Sequence, residues 1–272
     1  MSATDTPGAP RVTVVTPVYN VVKYLPETVA SLEAQTYSGW ELVIVDDGST
    51  DPAAVALLDG YRGRGFTVIR QEDSGLAAAR NTGIAAGTGE YLVMLDPDNK
   101  LAPTFLERTI ERLDATPEAG VAVTGLHLFG AVRGKAMPPP CDIVSLLCTN
   151  VIGPYGLTRR TSWEQVGGFP TRADADIDGM DDWSFAISVL ERGWTWTVVP
   201  EYLFYHRVRR GSFAARNRQP ERRQALLREL IRLHEDTYRE HHVDVFLHQD
   251  AKIRRLESTG PAARLRRLLR RF

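Results

Sequence analysis

Short aliphatic, β-branched runs alternate with amphipathic stretches through the first hundred positions. Val12, Thr13, Val14 and Val15 predict a buried strand, which Pro17 ends. From Lys23 onward, Leu25, Val29 and Leu32 recur at helical spacing. Residues 41–45 predict a second strand. It stops at Asp46-Asp47-Gly48-Ser49-Thr50-Asp51, a run of turn formers and N-cap residues. A helix through Val55, Leu58 and Tyr61 follows, then a strand at 67–69, an alanine-rich helix at 75–86 and a strand at 91–95. Gly83 and Ala85 suit that helix to close packing.

Strands that alternate with helices predict an α/β fold with a mainly parallel, Rossmann-like central sheet flanked by helices. The strands are near-continuous apolar runs, as in sheets covered on both faces. Ligands in such sheets sit beyond the carboxyl ends of the strands. Two of those ends carry acids, Asp46-Asp47 and Asp96-Pro97-Asp98. The second half is less regular. It predicts helices at 105–113, 161–166 and 181–192, the last closed by Gly193, and strands at 121–123 and 194–199. After Pro220 the pattern is helical and charged, with Leu226, Leu227, Leu230 and Leu233 on one face. The predicted layout is a disordered leader at 1–10 and a domain at 11–215, with a regular half at 11–100 and a less regular half at 101–215. A helical extension at 216–272 completes it.

Composition narrows the classes without choosing among them. The chain has 272 residues, 43% hydrophobic and 25% charged, ordinary for a soluble protein. A net charge of -1 gives no nucleic-acid footprint. Cys141 and Cys148 are not spaced as a metal or redox pair and read as free thiols. No apolar run reaches transmembrane length, and the start lacks the basic and apolar parts of a signal peptide. The expected location is cytoplasmic.

Asp96 and Asp98 follow a buried strand and can aim at one point. Hard oxygen ligands suit Mg²⁺ or Mn²⁺, and such an ion can neutralise a diphosphate leaving group. The plainer reading is an Asp-rich turn fixed by Pro97. Asp46 and Asp47 can accept hydrogen bonds from ribose or base, or cap the next helix. Arg80 can bind phosphate oxygens, or be a solvated helical arginine. Asp181 and Asp182, ahead of Trp183, are acids that a helix N-terminus favours; one of them in a cleft could act as a general base.

In sequence order, several motifs accumulate: Thr16-Pro17-Val18-Tyr19-Asn20, Val45 to Asp51, Ala79-Arg80-Asn81-Thr82-Gly83, Gly89-Glu90-Tyr91, Leu95-Asp96-Pro97-Asp98-Asn99, Val166-Gly167-Gly168-Phe169 and Gly179-Met180-Asp181-Asp182-Trp183. This ordered set, spanning about 11–210, resembles the family 2 glycosyltransferases of the GT-A fold. The resemblance implies an inverting transferase with a nucleotide-sugar donor, UDP-linked, and a glycan, lipid-linked or small-molecule acceptor. It assigns Thr16, Pro17 and Tyr19 to the nucleotide pocket, and Asp47, with Asp46 nearby, to a uracil-type base. Arg80 faces the nucleotide or diphosphate. Asp96 contacts ribose or the water shell of a Mn²⁺ or Mg²⁺ ion, Asp98 ligates that ion, and Asp182 is the catalytic base. Asp181 and Trp183 stand beside the base at the acceptor side.

Three positions depart from the family pattern. Asn99 stands where a further Asp is common, Asp181 replaces the Glu of a Glu-Asp pair, and Arg209 falls where many relatives carry a late His. His206 stands a few positions early and reads as a strand-end histidine. Arg207 and Arg209 are candidates for the diphosphate. At 264–272, Arg264, Arg266, Arg267, Arg270 and Arg271 alternate with Leu265, Leu268 and Leu269. This basic amphipathic end fits either a peripheral contact with the inner membrane face or a solvated terminus or homodimer contact. Two other functions compete with transfer. A nucleotidyltransferase would carry a Gly-rich basic loop where this chain has Pro17-Val18-Tyr19-Asn20, and a non-catalytic relative would only bind the nucleotide-sugar.

Overall fold

A computed structural model describes residues 9–20, 23–139, 141–150, 155–209 and 219–259. Most of the predicted leader and all of the basic stretch at 264–272 lie outside the described residues. The first half runs β1 (Val12–Val18), α1 (Leu25–Glu33), β2 (Trp40–Asp47), α2 (Pro52–Gly63), β3 (Thr67–Gln71), α3 (Leu76–Ala86) and β4 (Tyr91–Met94). Then come β5 (Lys100–Leu101), α4 (Phe105–Asp114), β6 (Ala119–Gly130), β7 (Gly134–Ala136), α5 (Ile143–Cys148), β8 (Gly156–Arg159), α6 (Arg160–Val166), α7 (Asp181–Glu191) and β9 (Thr195–Val208). Three helices follow: α8 (Pro220–Leu233), α9 (Glu235–Glu240) and α10 (His242–Thr259).

The strands form one sheet in the order β3-β2-β1-β4-β8-β6-β9-β5, with β7 on β6. The first four strands are parallel neighbours, as their continuous apolar runs predict. The sheet turns antiparallel where β8 inserts between β4 and β6, an element too short and too polar to be read from the sequence. The strands predicted at 121–123 and 194–199 are the apolar starts of the much longer β6 and β9. These two pair in parallel along their length, with register shifts around Thr124 and Gly125. Their outer halves carry His127, Phe129, Tyr202 and Tyr205, so the apolar signal fades before the strands do.

All seven positions of β1 are buried, because helices cover both faces. Val12, Val14 and Val18 point into one core with Leu25, Val29 and Leu32 of α1 and Phe105 and Leu106 of α4. Val15 points into a second core with Ile84 of α3, Phe185 and Ile187 of α7, and Leu226 and Leu230 of α8. On α3, a Cβ at Gly83 would lie 2.3 Å from a methyl of Val15, so the helix rests directly on the sheet there. Ala85, expected to share that role, faces solvent. Cys141 and Cys148 are free thiols. Among the described residues no helix is long and apolar enough to cross a membrane.

Candidate active site

Strand β1 lies between β2 and β4, so three adjacent carboxyl ends open on one side of the sheet. Pro17 is buried at the end of β1, and Tyr19 just past it is 48% exposed. Thr16 is buried, and its hydroxyl has no partner.

At the end of β2 both acids are buried and engaged. Asp46 accepts from the Ser49 amide at 2.8 Å and meets Arg70 at 3.2 Å. Asp47 accepts from Gln71 Nε2 at 2.8 Å and from the amides of Ser74 and Gly75, both at 3.0 Å. That carboxylate therefore ties β2 to the start of α3. A carboxylate has about four acceptor positions, so Asp47 keeps little spare capacity.

The centre of the site is an ion-pair line. Arg80, one turn before Gly83 on α3, is 2% exposed. Its Nη1 meets Asp181 Oδ2 at 2.6 Å, and its Nη2 meets Asp96 Oδ1 at 3.2 Å. It is thus a buried link between the end of β4 and the start of α7, and the solvated-arginine alternative is excluded. Burial alone would lower its affinity for a proton; Asp181, Asp96 and Asp182 together outweigh that and raise it. Asp182, half-buried next to Asp181, accepts from the Trp183 amide at 2.8 Å and from Asn150 Nδ2 at 3.3 Å. Burial, reinforced by the charge on Asp181, pushes the Asp182 carboxyl up to about 6. Trp183 is not a wall of the site: it is 3% exposed, and its indole donates to the Leu146 carbonyl.

The turn after β4 is held from the far end of β9. Asn99 is 1% exposed; its Oδ1 accepts from the Arg207 amide at 3.0 Å, and its Nδ2 donates to Asp96 Oδ2 at 3.3 Å. An Asp in its place could not make the second bond, so the amide steadies Asp96 and keeps its own oxygen away from Asp96. Arg207 donates to the Asp98 carbonyl and to Glu27, and lies over the rings of Tyr24 and Phe129 at 4.1 and 4.4 Å. Arg209 Nε lies 2.6 Å from Asp98 Oδ2, too misaligned for a hydrogen bond. Burial and the neighbouring Asp96 raise the Asp98 carboxyl above its ordinary range.

Two side chains at this centre have no sequence signal of their own. Tyr155 stands edge-on to His206, ring centres 5.2 Å apart, and burial together with Asp182 and Asp96 raises its phenol. Asn150 reaches Asp182 from beyond α5. His206 Nδ1 is buried without a partner; burial lowers that imidazole against the pull of Asp96 and Asp98. The carboxylates of Asp96 and Asp98, on one turn after β4, are hard oxygen donors of the kind that Mn²⁺ or Mg²⁺ takes. Among the described residues no three His, Cys, Asp or Glu groups are placed to hold a metal ion together.

Residues 13–163 match the model of the family described as glycosyl transferase family 2. TuaG of Bacillus subtilis, named for a glycosyltransferase of teichuronic acid biosynthesis, is 30% identical over 234 residues, 83% of this chain and 90% of that protein. The uncharacterized protein y4gI of Sinorhizobium fredii is 30% identical over 220 residues, 78% of this chain but 24% of its own length. Glycosyltransferase GlyA of Streptococcus pneumoniae is 34% identical over 125 residues, 46% of this chain, and the match spans 18% of its length. The chain therefore covers only a small part of some relatives. Among solved structures, the mannosyltransferase PcManGT of Pyrobaculum calidifontis, in complex with GDP-Man and Mn²⁺, superposes with a TM-score of 0.65 at 24% identity, covering 94% of this chain and 78% of that one. S. aureus TarS in complex with UDP-GlcNAc gives 0.60 at 20% identity, covering 75% and 60%. These likenesses establish the GT-A fold.

Proposed function

The chain belongs to glycosyl transferase family 2, and from that premise we propose that it transfers a sugar from a UDP-linked donor to an acceptor hydroxyl with inversion. The observation that carries this reading is the place of Asp182, in the first turn of α7 beside an Arg80 already committed to Asp181 and Asp96; burial and the charge on Asp181 push its carboxyl up to about 6. A base whose pKa lies near working pH combines a useful ionised fraction with a real pull on the proton.

The roles follow from position. Pro17, Tyr19 and Asp47 serve the nucleotide at the open ends of β1 and β2. Asp98 and Asp96 would hold Mn²⁺ or Mg²⁺, which when bound offsets the charge of the diphosphate leaving group. Asp182 takes the proton of the acceptor hydroxyl as that oxygen bonds to the anomeric carbon. The carbon–oxygen bond to the diphosphate breaks on the opposite face, its electron pair leaves with the nucleotide, and configuration inverts. Asp181, fixed by Arg80, anchors the first turn of α7 and so aims its neighbour.

Incubation with UDP-sugars, Mn²⁺ and a panel of acceptors, read as UDP release, tests the activity. Asp182→Asn should bind UDP as tightly as the parent and lose about 10²- to 10⁴-fold in transfer rate, the usual worth of a general base. Near-parent transfer by that variant would remove Asp182 from the mechanism. Donor binding without product from any pair would leave a nucleotide-sugar binder.

A further inference from the structure

The two arginines that follow His206 differ in how they are held. Arg207 is fixed by Asp98, Asn99, Glu27 and two aromatic rings. Arg209 is one-third exposed and meets Asp98 through a single close but misaligned contact at 2.6 Å. Asp98 itself is buried, so that contact is its main charge compensation at the turn. A cation arriving alone would have to displace a guanidinium from the carboxylate it needs. Asn99 cannot make up the lost charge, since it is neutral and bonded to Asp96 and the Arg207 amide. A nucleotide diphosphate changes both sides of this balance. It brings oxygen ligands for the metal and a new anionic partner for Arg209, which suits a guanidinium as well as a carboxylate does.

We propose that Arg209 and the divalent cation exclude one another at Asp98, so that the metal binds this enzyme tightly only together with a nucleotide diphosphate. Arg209 is then a positioning residue: it keeps Asp98 neutralised in the donor-free protein and moves to the diphosphate when the metal takes its place. This rests on the proposed metal site. By linkage, UDP and Mn²⁺ must each tighten the other by the same factor.

The test is Mn²⁺ binding to the full chain, read from the signal of free Mn²⁺ by electron paramagnetic resonance, with and without UDP. The parent should bind Mn²⁺ weakly alone and at least about tenfold more tightly with UDP, a factor worth about 1.4 kcal/mol. Arg209→Gln should bind Mn²⁺ alone about tenfold more tightly than the parent and lose most of the UDP effect. Arg209→Lys, which keeps the charge, should stay close to the parent. Unchanged Mn²⁺ affinity in Arg209→Gln, at an unchanged unfolding temperature, overturns the exclusion while leaving the metal site standing. If the parent binds UDP but takes up no Mn²⁺ with or without it, the metal site falls and this inference with it.

Discussion

Asp181 and Asp182 are neighbours with opposite fates. Asp181 and Arg80 are each 3% exposed at the side chain and 2.6 Å apart. Breaking such a pair by removing one partner costs about 3–5 kcal/mol, so Asp181 stays committed to Arg80. Burial, with the charge on Asp181 added, raises Asp182, which is anchored by the Trp183 amide and the Asn150 side chain. The working form of a base is the ionised one. Transfer activity should therefore rise with pH through about 6 and level off above it. Below that point kcat/KM should fall about tenfold per pH unit, as for a single titrating group. A pH–rate profile checks this; an acid limb near the ordinary carboxylate value, around 4, would assign the base elsewhere.

Helix α3 positions this chemistry through Gly83. Arg80 sits one turn earlier, so the depth at which α3 rests on β1 sets where its guanidinium meets Asp96 and Asp181. A methyl at Gly83 would lie 2.3 Å from one Val15 methyl and 3.1 Å from another, with a Val45 methyl also at 3.1 Å. Both valines are essentially unexposed and have nowhere to turn. Overpacking of this kind costs about 3 kcal/mol at its upper end, while alanine gains about 1 kcal/mol over glycine in a helix. Gly83→Ala should thus lose about 2 kcal/mol in urea unfolding; a gain in stability would show that α3 can lift without cost. The same scale shows what the sequence could and could not reveal. The strands β1 to β4 are legible because burial on both faces leaves unbroken apolar runs, and the acids fall at their ends. Strand β8 is not, because Gly156 to Arg159 contains one large apolar residue and owes its place to β4 and β6. Nor is the cage around Arg207, whose rings Tyr24 and Phe129 come from elements far apart in the chain. Asn150 and Tyr155 belong to no periodic segment, and only the assembled fold brings them to Asp182 and His206.

At the scale of the molecule, the C-terminal helices are continuous with the domain they follow. Leu226 and Leu230 of α8 are fully buried in the second core, beside Phe185 and Ile187 of α7. At the end of α8, His234 is 5% exposed and bridges two residues of α7, meeting Ser184 Oγ at 2.8 Å and Glu191 Oε1 at 2.9 Å. Further along, the Tyr238 hydroxyl donates to the Leu147 carbonyl at 2.9 Å, just as Trp183 donates to Leu146 at 2.7 Å. Helix α7 carries Asp181 and Asp182 in its first turn, so the segment 219–241 braces the proposed base from behind. Shared burial makes the two parts unfold together. Leu230→Ala removes a methine and two methyl groups from a site with no exposure and should cost about 2–5 kcal/mol. The loss should appear as a single earlier transition in which helix signal and transfer activity disappear at the same midpoint. Two separated transitions, with activity surviving the first, would mean that the helices are an appended unit and that α7 holds the proposed base without them.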